Sequence, residues 1–168
     1  MRGVYRCAVY LLVLALAAHP IGQALPRRFD AAHFPFAPWK WERGGRVYKR
    51  LHIDCWKTLV PDMSRLLPDM VRKTLPDTAA TSSQADALVQ ETCVAEVVHG
   101  ASSLLGLVCL WLWPTWGGMA VTAAWVLLGN LPFILIQRYN RPRLVRLADL
   151  LRKREQRKGN HENTDLDL

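Results

Sequence analysis

Two groups of polar residues flank a long apolar stretch, and their residue types suggest chemistry. Glu96 and His99 are three positions apart, so on a helix their side chains share one face. In a low-dielectric setting a glutamate can orient an imidazole and stabilise its charged form, and His99 could then remove a proton from a hydroxyl nucleophile. The alternative is that Glu96 and His99 only satisfy each other where a helix enters lipid.

The second group lies at the end of residues 129–144, GNLPFILIQRYNRPRL, which pass from an apolar run into a basic one. Guanidinium groups here could bind phosphate or carboxylate, or could anchor the chain to lipid phosphates. The neutral side chains could donate to an oxyanion, hold a sugar or cap a helix. Asn130 could bind substrate or hydrogen-bond a neighbouring helix. The candidate substrate-binding residues are Gln137, Arg138, Tyr139, Asn140, Arg141, Arg143 and Asn130.

Metal and disulfide chemistry find little support in the sequence. The four cysteines are far apart with no C-x-x-C pair, and the five histidines are scattered, so we expect neither a zinc site nor a disulfide framework. His52 and Asp54 lie on a polar segment and are predicted to be surface residues without a recognisable partner.

The apolar stretch predicts a membrane hairpin. Residues 100–136 contain no Asp, Glu, Lys, Arg or His, which is enough for two helices of about 20 residues each. We predict spans over about 97–115 and 117–137, with the turn at Pro114, Gly117 and Gly118. The first span continues a long helix that starts near Gln84 behind a cap made by Ser83 and Asp86. Pro142 disfavours helix at the preceding residue, so a break in direction is predicted at Arg141.

Residues 4–25 form an earlier apolar segment with two interpretations. It could be a signal peptide cleaved after residues 22–24, or a retained first span interrupted by His19 and Pro20. Basic residues after the segment outnumber the two before it, which favours a retained helix with its N-terminus outside.

Aromatic and basic residues alternate through the next segment, 26–83. Such a pattern could stack on nucleic-acid bases, but beside apolar spans an interfacial aromatic belt is the better interpretation, and no nucleic-acid partner is expected. Three similar tripeptides, at 60–62, 67–69 and 75–77, are predicted to form turns or short helix starts.

The C-terminal tail, 141–168, contributes strongly to the net charge of +8. Its apolar stripe of Leu144, Leu147, Ala148 and Leu151 predicts a helix lying on anionic lipid. The hairpin places residues 26–95 and the tail on one side, which the positive charge makes cytoplasmic. The predicted fold is therefore an all-α membrane protein with four segments: hydrophobic helix 4–25, interfacial segment 26–83, long helix and hairpin 84–140, and basic tail 141–168.

Several of these residues resemble one known family. Residues 129–144 closely resemble the C-terminal signature of the glycosyl-4,4'-diaponeurosporenoate acyltransferases, small bacterial membrane proteins of carotenoid pigment synthesis. The chain departs from the family in its Ala- and Arg-rich composition and in an insertion-like stretch, 76–87. Further resemblance covers most of residues 40–158 and is carried by Trp41, Glu42, Gly45, Tyr48, Ile53, Trp56, Lys57, Pro61, Asp62, Glu91, Thr92, Ala95, Glu96 and His99.

This resemblance implies that a fatty acyl group moves onto the primary hydroxyl of a sugar on a glycosylated carotenoid in the bacterial cell membrane. An acyl donor such as acyl-CoA or acyl carrier protein is then a substrate, and no cofactor is implied. We expect His99 to deprotonate the sugar hydroxyl and Glu96 to orient it. Gln137 or Asn140 would stabilise the oxyanion, and Arg141 and Arg143 would bind the carrier phosphate. The competing hypothesis is a non-catalytic membrane scaffold or assembly factor.

Overall fold

The computed structural model describes residues 2–57 and 80–166, with side chains as far as residue 160. Within these ranges the chain is helical and contains no strand, which confirms the predicted all-α class. The tripeptides at 60–62, 67–69 and 75–77 lie outside the described residues. The elements are α1 Arg2–Ala24, a 3-10 segment Lys40–Gly45, α2 Val47–Arg50, α3 Ile53–Trp56, α4 Ser82–Gly106, α5 Val108–Leu112, α6 Trp116–Ala124, a π-helical segment Trp125–Asn130, and α7 Leu131–Leu166.

Three helical stretches are long and apolar enough to cross a membrane: Arg2–Ala24, Ser82–Leu112 and Trp116–Asn160. Their outer surfaces carry large exposed apolar side chains, including Leu16 on α1 and Leu128 near the start of α7. In water such surfaces would be costly, whereas hydrocarbon covers them without penalty. The predicted segment boundaries themselves remain predictions.

Helix α4 begins two residues earlier than predicted. Thr81 is the N-cap: its hydroxyl accepts from the Gln84 amide, and the Gln84 side chain accepts from the Thr81 amide. This reciprocal pair is a capping box, with a glutamine three residues after a threonine. The prediction of Ser83 with Asp86 as the cap was therefore wrong, because Thr81 and Gln84 together satisfy two terminal amides.

The hairpin turn lies at residues 113–115, between α5 and α6. Gly117 and Gly118, predicted to belong to the turn, instead form the first turn of α6. A side chain at either position would overlap Trp113, whose ring lies against Gly117 and whose carbonyl lies against Gly118. The two glycines thus allow α6 to return close to the end of α5.

Helix α7 continues through Pro142, so the predicted break at Arg141 was wrong. A proline inside a helix removes one backbone hydrogen bond, but tertiary contacts on both sides can outweigh that local cost. Here Arg138 and Arg141, which lie within the turn that precedes Pro142, are both fixed by bonds to α4 and to the N-terminal loop.

The tail is a direct continuation of α7 rather than a separate helix. Arg152 pairs with Asp86 at 2.9 Å, and Glu155 accepts from the amide and hydroxyl of Ser82. Ala148, on the predicted lipid-facing stripe, is buried. These contacts bring the tail alongside the first turns of α4, antiparallel to it.

Helix α1 packs antiparallel to α4 along most of its length. The Tyr10 hydroxyl donates to the Leu105 carbonyl at 2.9 Å, and Gly22 lies against Val98. Arg27, just beyond the helix end, bonds Glu91 at 3.0 Å. The helix is continuous through Pro20, so the predicted interruption there is absent.

Candidate active site

Two glutamates and two arginines form a buried ion-pair cluster between α4, α7 and the 3-10 segment. The carboxylate of Glu96 accepts from Arg138 at 2.6 Å and from Arg141 at 2.5 Å. Glu42 accepts from the Arg138 Nε at 2.5 Å. The formal charges of the four groups cancel, which is what makes a buried cluster of this kind tolerable.

Backbone carbonyls of residues 35–37 complete the coordination of the two guanidinium groups. Arg138 donates to the carbonyls of Pro35 and Ala37, and Arg141 donates to the carbonyl of Phe36 at 2.9 Å. Arg141 also donates to the hydroxyl and carbonyl of Thr92 and is only 2% exposed. Four contacts therefore commit the Arg141 guanidinium to the fold. The predicted binding of a carrier phosphate by Arg141 does not fit this geometry.

Glu42 is held by a second set of donors. The Tyr48 hydroxyl donates to it at 2.6 Å, and the Trp39 amide donates to its other oxygen at 3.0 Å. Burial, followed by the hydrogen bond to the Glu42 carboxylate, raises the pKa of Tyr48 well above its ordinary value, so the phenol stays protonated. Glu42 thus links the aromatic segment to α7 at a site buried from solvent.

His99 takes Asn130 as its partner instead of Glu96. The His99 Nδ1 lies 3.0 Å from the Asn130 Oδ1, and the Asn130 amide nitrogen donates to the Trp125 carbonyl at 2.9 Å. That second bond fixes the orientation of the amide, because only its nitrogen can donate to a carbonyl. The oxygen of Asn130 therefore faces Nδ1, which must carry the proton. In the neutral imidazole the lone pair is then on Nε2, the arrangement that a general base requires.

The backbone explains why Asn130 reaches His99. Asn130 ends the π-helical segment that separates α6 from α7. π-helical turns inside α-helices are rare and occur frequently at functional sites. The ring of His99 also stacks on Phe133 in α7, with centroids 4.5 Å apart and planes within 6°. The imidazole is thus held by Asn130, at the end of the π-helical segment, and by Phe133, in the first turn of α7.

A cavity of about 570 Å³ lies between α1, α4 and α7, within the range of sites for small molecules. His99, Gln137, Asn140 and Arg143 all line it. Gln137 is only 6% exposed, yet within the described residues its amide has no hydrogen-bond partner. Because the Thr122 hydroxyl is the only fully buried side-chain polar atom without a partner in the described residues, the Gln137 amide is not sealed off and can meet a ligand in the cavity. From α1 the lining includes Ala15, Ala18, His19, Gly22 and Gln23, and Lys57 contributes from just beyond α3.

Arg143 differs from the other two arginines of its group. It donates to the Tyr139 carbonyl at 2.9 Å and lies 3.4 Å from the centre of the Tyr139 ring. Lys57 approaches the same ring at 5.3 Å. Arg143 and Lys57 therefore present two cations at one end of the cavity, which suits an anionic ligand group.

Tyr139 itself is buried, and its hydroxyl donates to Asp54. This bond lowers the pKa of the Asp54 carboxyl, with a smaller contribution from Lys57. The prediction that Asp54 has no recognisable partner was therefore wrong. The hydroxyl of Tyr139 is thus used within the fold, and Tyr139 is not among the residues that line the cavity.

The structure thus divides the predicted site residues into three groups. His99, Gln137, Asn140 and Arg143 line the cavity, with Asn130 behind His99. Glu96, Arg138 and Arg141 form the ion-pair cluster, and Tyr139 joins Asp54. Sequence reasoning gave no site role to Glu42, Lys57 or His19. The first two belong to the resemblance pattern, which was a usable signal, whereas His19 had none beyond its polarity in an apolar helix.

Comparisons with known proteins agree with this picture. The family model described as glycosyl-4,4'-diaponeurosporenoate acyltransferase matches residues 32–150. Proteins of that name from Staphylococcus aureus strains bovine RF122 / ET3-1 and MRSA252 are 25% and 24% identical over 159 residues, which is 94% of each chain. No solved structure matches the chain. The match spans the ion-pair cluster and the polar part of the cavity, and the chain belongs to the glycosyl-4,4'-diaponeurosporenoate acyltransferase family.

Proposed function

We propose that this protein transfers a fatty acyl group from a thioester donor onto the primary hydroxyl of a sugar on a glycosylated carotenoid or related glycolipid. Family membership supports the reaction type and the acceptor class. One structural observation carries the assignment to a site: His99, held by Asn130 in a defined tautomer, lines a cavity with the unpaired amide of Gln137.

In the proposed reaction His99 acts as the general base. Its Nε2 takes the proton of the sugar hydroxyl while the hydroxyl oxygen forms a bond to the acyl carbonyl carbon. The resulting tetrahedral intermediate collapses with cleavage of the carbon–sulfur bond, and the departing thiolate receives the proton from Nε2. An ester and a free thiol are the products, and the imidazole returns to its starting state.

The amides of Gln137 and Asn140 are one turn apart on α7 and serve the polar substrate groups. One of them stabilises the oxyanion of the intermediate and the other holds the sugar, since both line the cavity within the described structure. Arg143, with Lys57 beside it, binds the phosphate of the donor, acyl-CoA or acyl carrier protein. In this proposal Arg138, Arg141 and Glu96 hold the fold and do not contact substrate.

We place the protein in the bacterial cell membrane with three spans, and with the cation-rich end of the cavity and the C-terminus in the cytoplasm. The basic residues of α7 and its tail favour that side, and a thioester donor would reach the cavity from it. Membrane lipids surround the exposed apolar faces of the spans. Residues 26–57, with exposed Trp39 and Trp41, lie at the interface.

The test is ester formation in membranes that contain or lack the protein. Membranes are supplied with a glycosylated carotenoid acid and palmitoyl-CoA, and the lipid extract is analysed by mass spectrometry. An acylated sugar that appears only with the protein supports the enzyme. A scaffold would instead leave the acceptor unacylated in purified, reconstituted form while still supporting pigment formation by other proteins in cells.

A further inference from the structure

The structure assigns helix α1 a part in substrate binding: its small residues Ala15 and Ala18 form the wall along which the acyl chain lies and limit the chain length. This inference rests on the proposed function. It goes beyond it because nothing in the reaction itself requires α1. The first observation is that Ala15, Ala18, His19, Gly22 and Gln23 all line the cavity.

The contacts of α1 define which end of the cavity is polar. Arg27 bonds Glu91, and Gly22 lies 3.4 Å, at the position of an added Cβ, from a methyl of Val98. Tyr10 bonds the Leu105 carbonyl. Moving from Arg27 towards Tyr10 thus follows α4 from its charged start into the uncharged stretch of the membrane hairpin.

Ala18 precedes Gly22 by four residues, which is about 6 Å along the helix axis. Ala18 and Ala15 therefore lie on the membrane-interior side of the Gly22–Val98 contact. His99 is the neighbour of Val98, so the reacting carbonyl stands near this level. The polar groups Asn140, Arg143 and Lys57 lie towards the opposite, charged end of the cavity.

An acyl thioester at His99 must send its two ends in opposite directions. The phosphate-bearing carrier suits the cationic end, where Arg143 and Lys57 flank Tyr139. The hydrocarbon then extends past Ala18 and Ala15, whose methyl side chains leave room that larger residues would fill. The outer face of α1 is different in kind: Leu12, Val13 and Leu16 are large and exposed, and suit lipid.

A second observation points to a ligand in this space. Gln137 is nine-tenths buried, lines the same cavity, and has no hydrogen-bond partner within the described residues. Its amide can bond a polar ligand group, and the alanine methyls on α1 suit an apolar one. A fatty acyl thioester combines the two, because a carbonyl and an alkyl chain are joined at the level of His99.

The experiment is a competition among thioester donors in reconstituted membranes, with lauroyl-, myristoyl-, palmitoyl- and stearoyl-CoA supplied together. Ala18→Leu should shift the product towards the shorter chains, with the ratio of long to short falling about four-fold for each methylene displaced, as expected from about 0.8 kcal/mol per buried methylene. Ala15→Leu, about one turn deeper, should produce a smaller shift that begins at longer chains. Ala8→Leu adds the same bulk at an exposed position outside the cavity and should leave the product distribution unchanged.

Unaltered chain preference in Ala18→Leu and Ala15→Leu, or an equal loss for all four donors in both, would overturn the inference. A palmitoyl-CoA carrying a terminal diazirine provides an independent measurement that needs no variant. Crosslinking to peptides of α1 supports the assignment, and crosslinking to other helices alone contradicts it. A photoreactive group on the polyene of the acceptor gives the converse measurement. Polyene crosslinks on α1 would contradict the inference, because the acceptor would then occupy this wall instead of the acyl chain. Absence of transfer from every donor by the unaltered protein would instead defeat the proposed function.

Discussion

Replacing Glu96 by Gln separates two interpretations of this residue. If Glu96 oriented His99, the change would reduce activity and leave the fold intact. In the structure Glu96 instead neutralises Arg138 and Arg141, which are 9% and 2% exposed. Loss of its charge leaves two buried guanidinium groups with the single carboxylate of Glu42. Removing one partner of a buried ion pair typically costs about 3–5 kcal/mol, and we expect a loss of that size in the free energy of unfolding.

The assay is unfolding of purified protein in detergent micelles, followed by tryptophan fluorescence. Asp86→Asn is the matched control, because Asp86 and Arg152 also form a direct ion pair, at 2.9 Å, but both side chains are about half exposed. Such a solvent-screened surface pair contributes little to stability. The double variant Glu96→Gln with Arg141→Gln should lose less stability than the sum of the single variants, since it restores charge balance. Stability of Glu96→Gln equal to that of Asp86→Asn, with additive effects in the double variant, would refute the assignment.

Three further predictions concern the site and its placement. Asn130→Ala should lower kcat about 100-fold with little change in the donor KM, because it releases the His99 ring from its orientation. Asn130→Asp should recover part of kcat by restoring an acceptor for Nδ1. Equal changes in kcat and KM for both variants would indicate a structural role only. Because the Tyr139 hydroxyl lowers the pKa of Asp54, this contact should stabilise the fold near neutral pH, and the stabilisation should be lost as the pH falls through and below about 4. Asp54→Asn should reduce that pH dependence of the unfolding midpoint. An identical pH profile in the variant would argue against the contact. Cysteines introduced at Lys49 and Arg154 should react with an impermeant thiol reagent from the same side of the membrane and a cysteine at Thr115 from the other; opposite accessibility of the first two would contradict the hairpin.

The sequence predicted the helical class and the meeting of α4 with α7, because long uncharged stretches and a turn between them leave few alternatives. It also brought His99, Gln137, Asn140 and Arg143 to one region. These are consequences of hydrophobic length and antiparallel packing, both of which can be read from the order of residues.

The partners within that region could not be read in the same way. Spacing of three residues places Glu96 and His99 on one face, but it does not decide which side chain each one meets. That choice depends on the register of α7 against α4 and on the π-helical segment that directs Asn130 towards His99. The pairing of Glu42 with Arg138 joins residues 96 positions apart, and no local pattern signals it. The break at Arg141 was predicted from the local preference of Pro142 alone, whereas Arg138 and Arg141 fix the helix through long-range bonds.

The most direct test of the central claim is the rate of acyl transfer by His99→Ala relative to unaltered protein, in membranes with equal amounts of folded protein. His99→Gln, which retains a polar group beside Asn130, serves as a second variant, and the exposed histidine variant His33→Ala is the matched control. We predict that both His99 variants lose about 10²- to 10⁴-fold in kcat, the usual contribution of a general base, while His33→Ala keeps full activity. A folded His99→Ala protein with the kcat of unaltered protein would contradict the account.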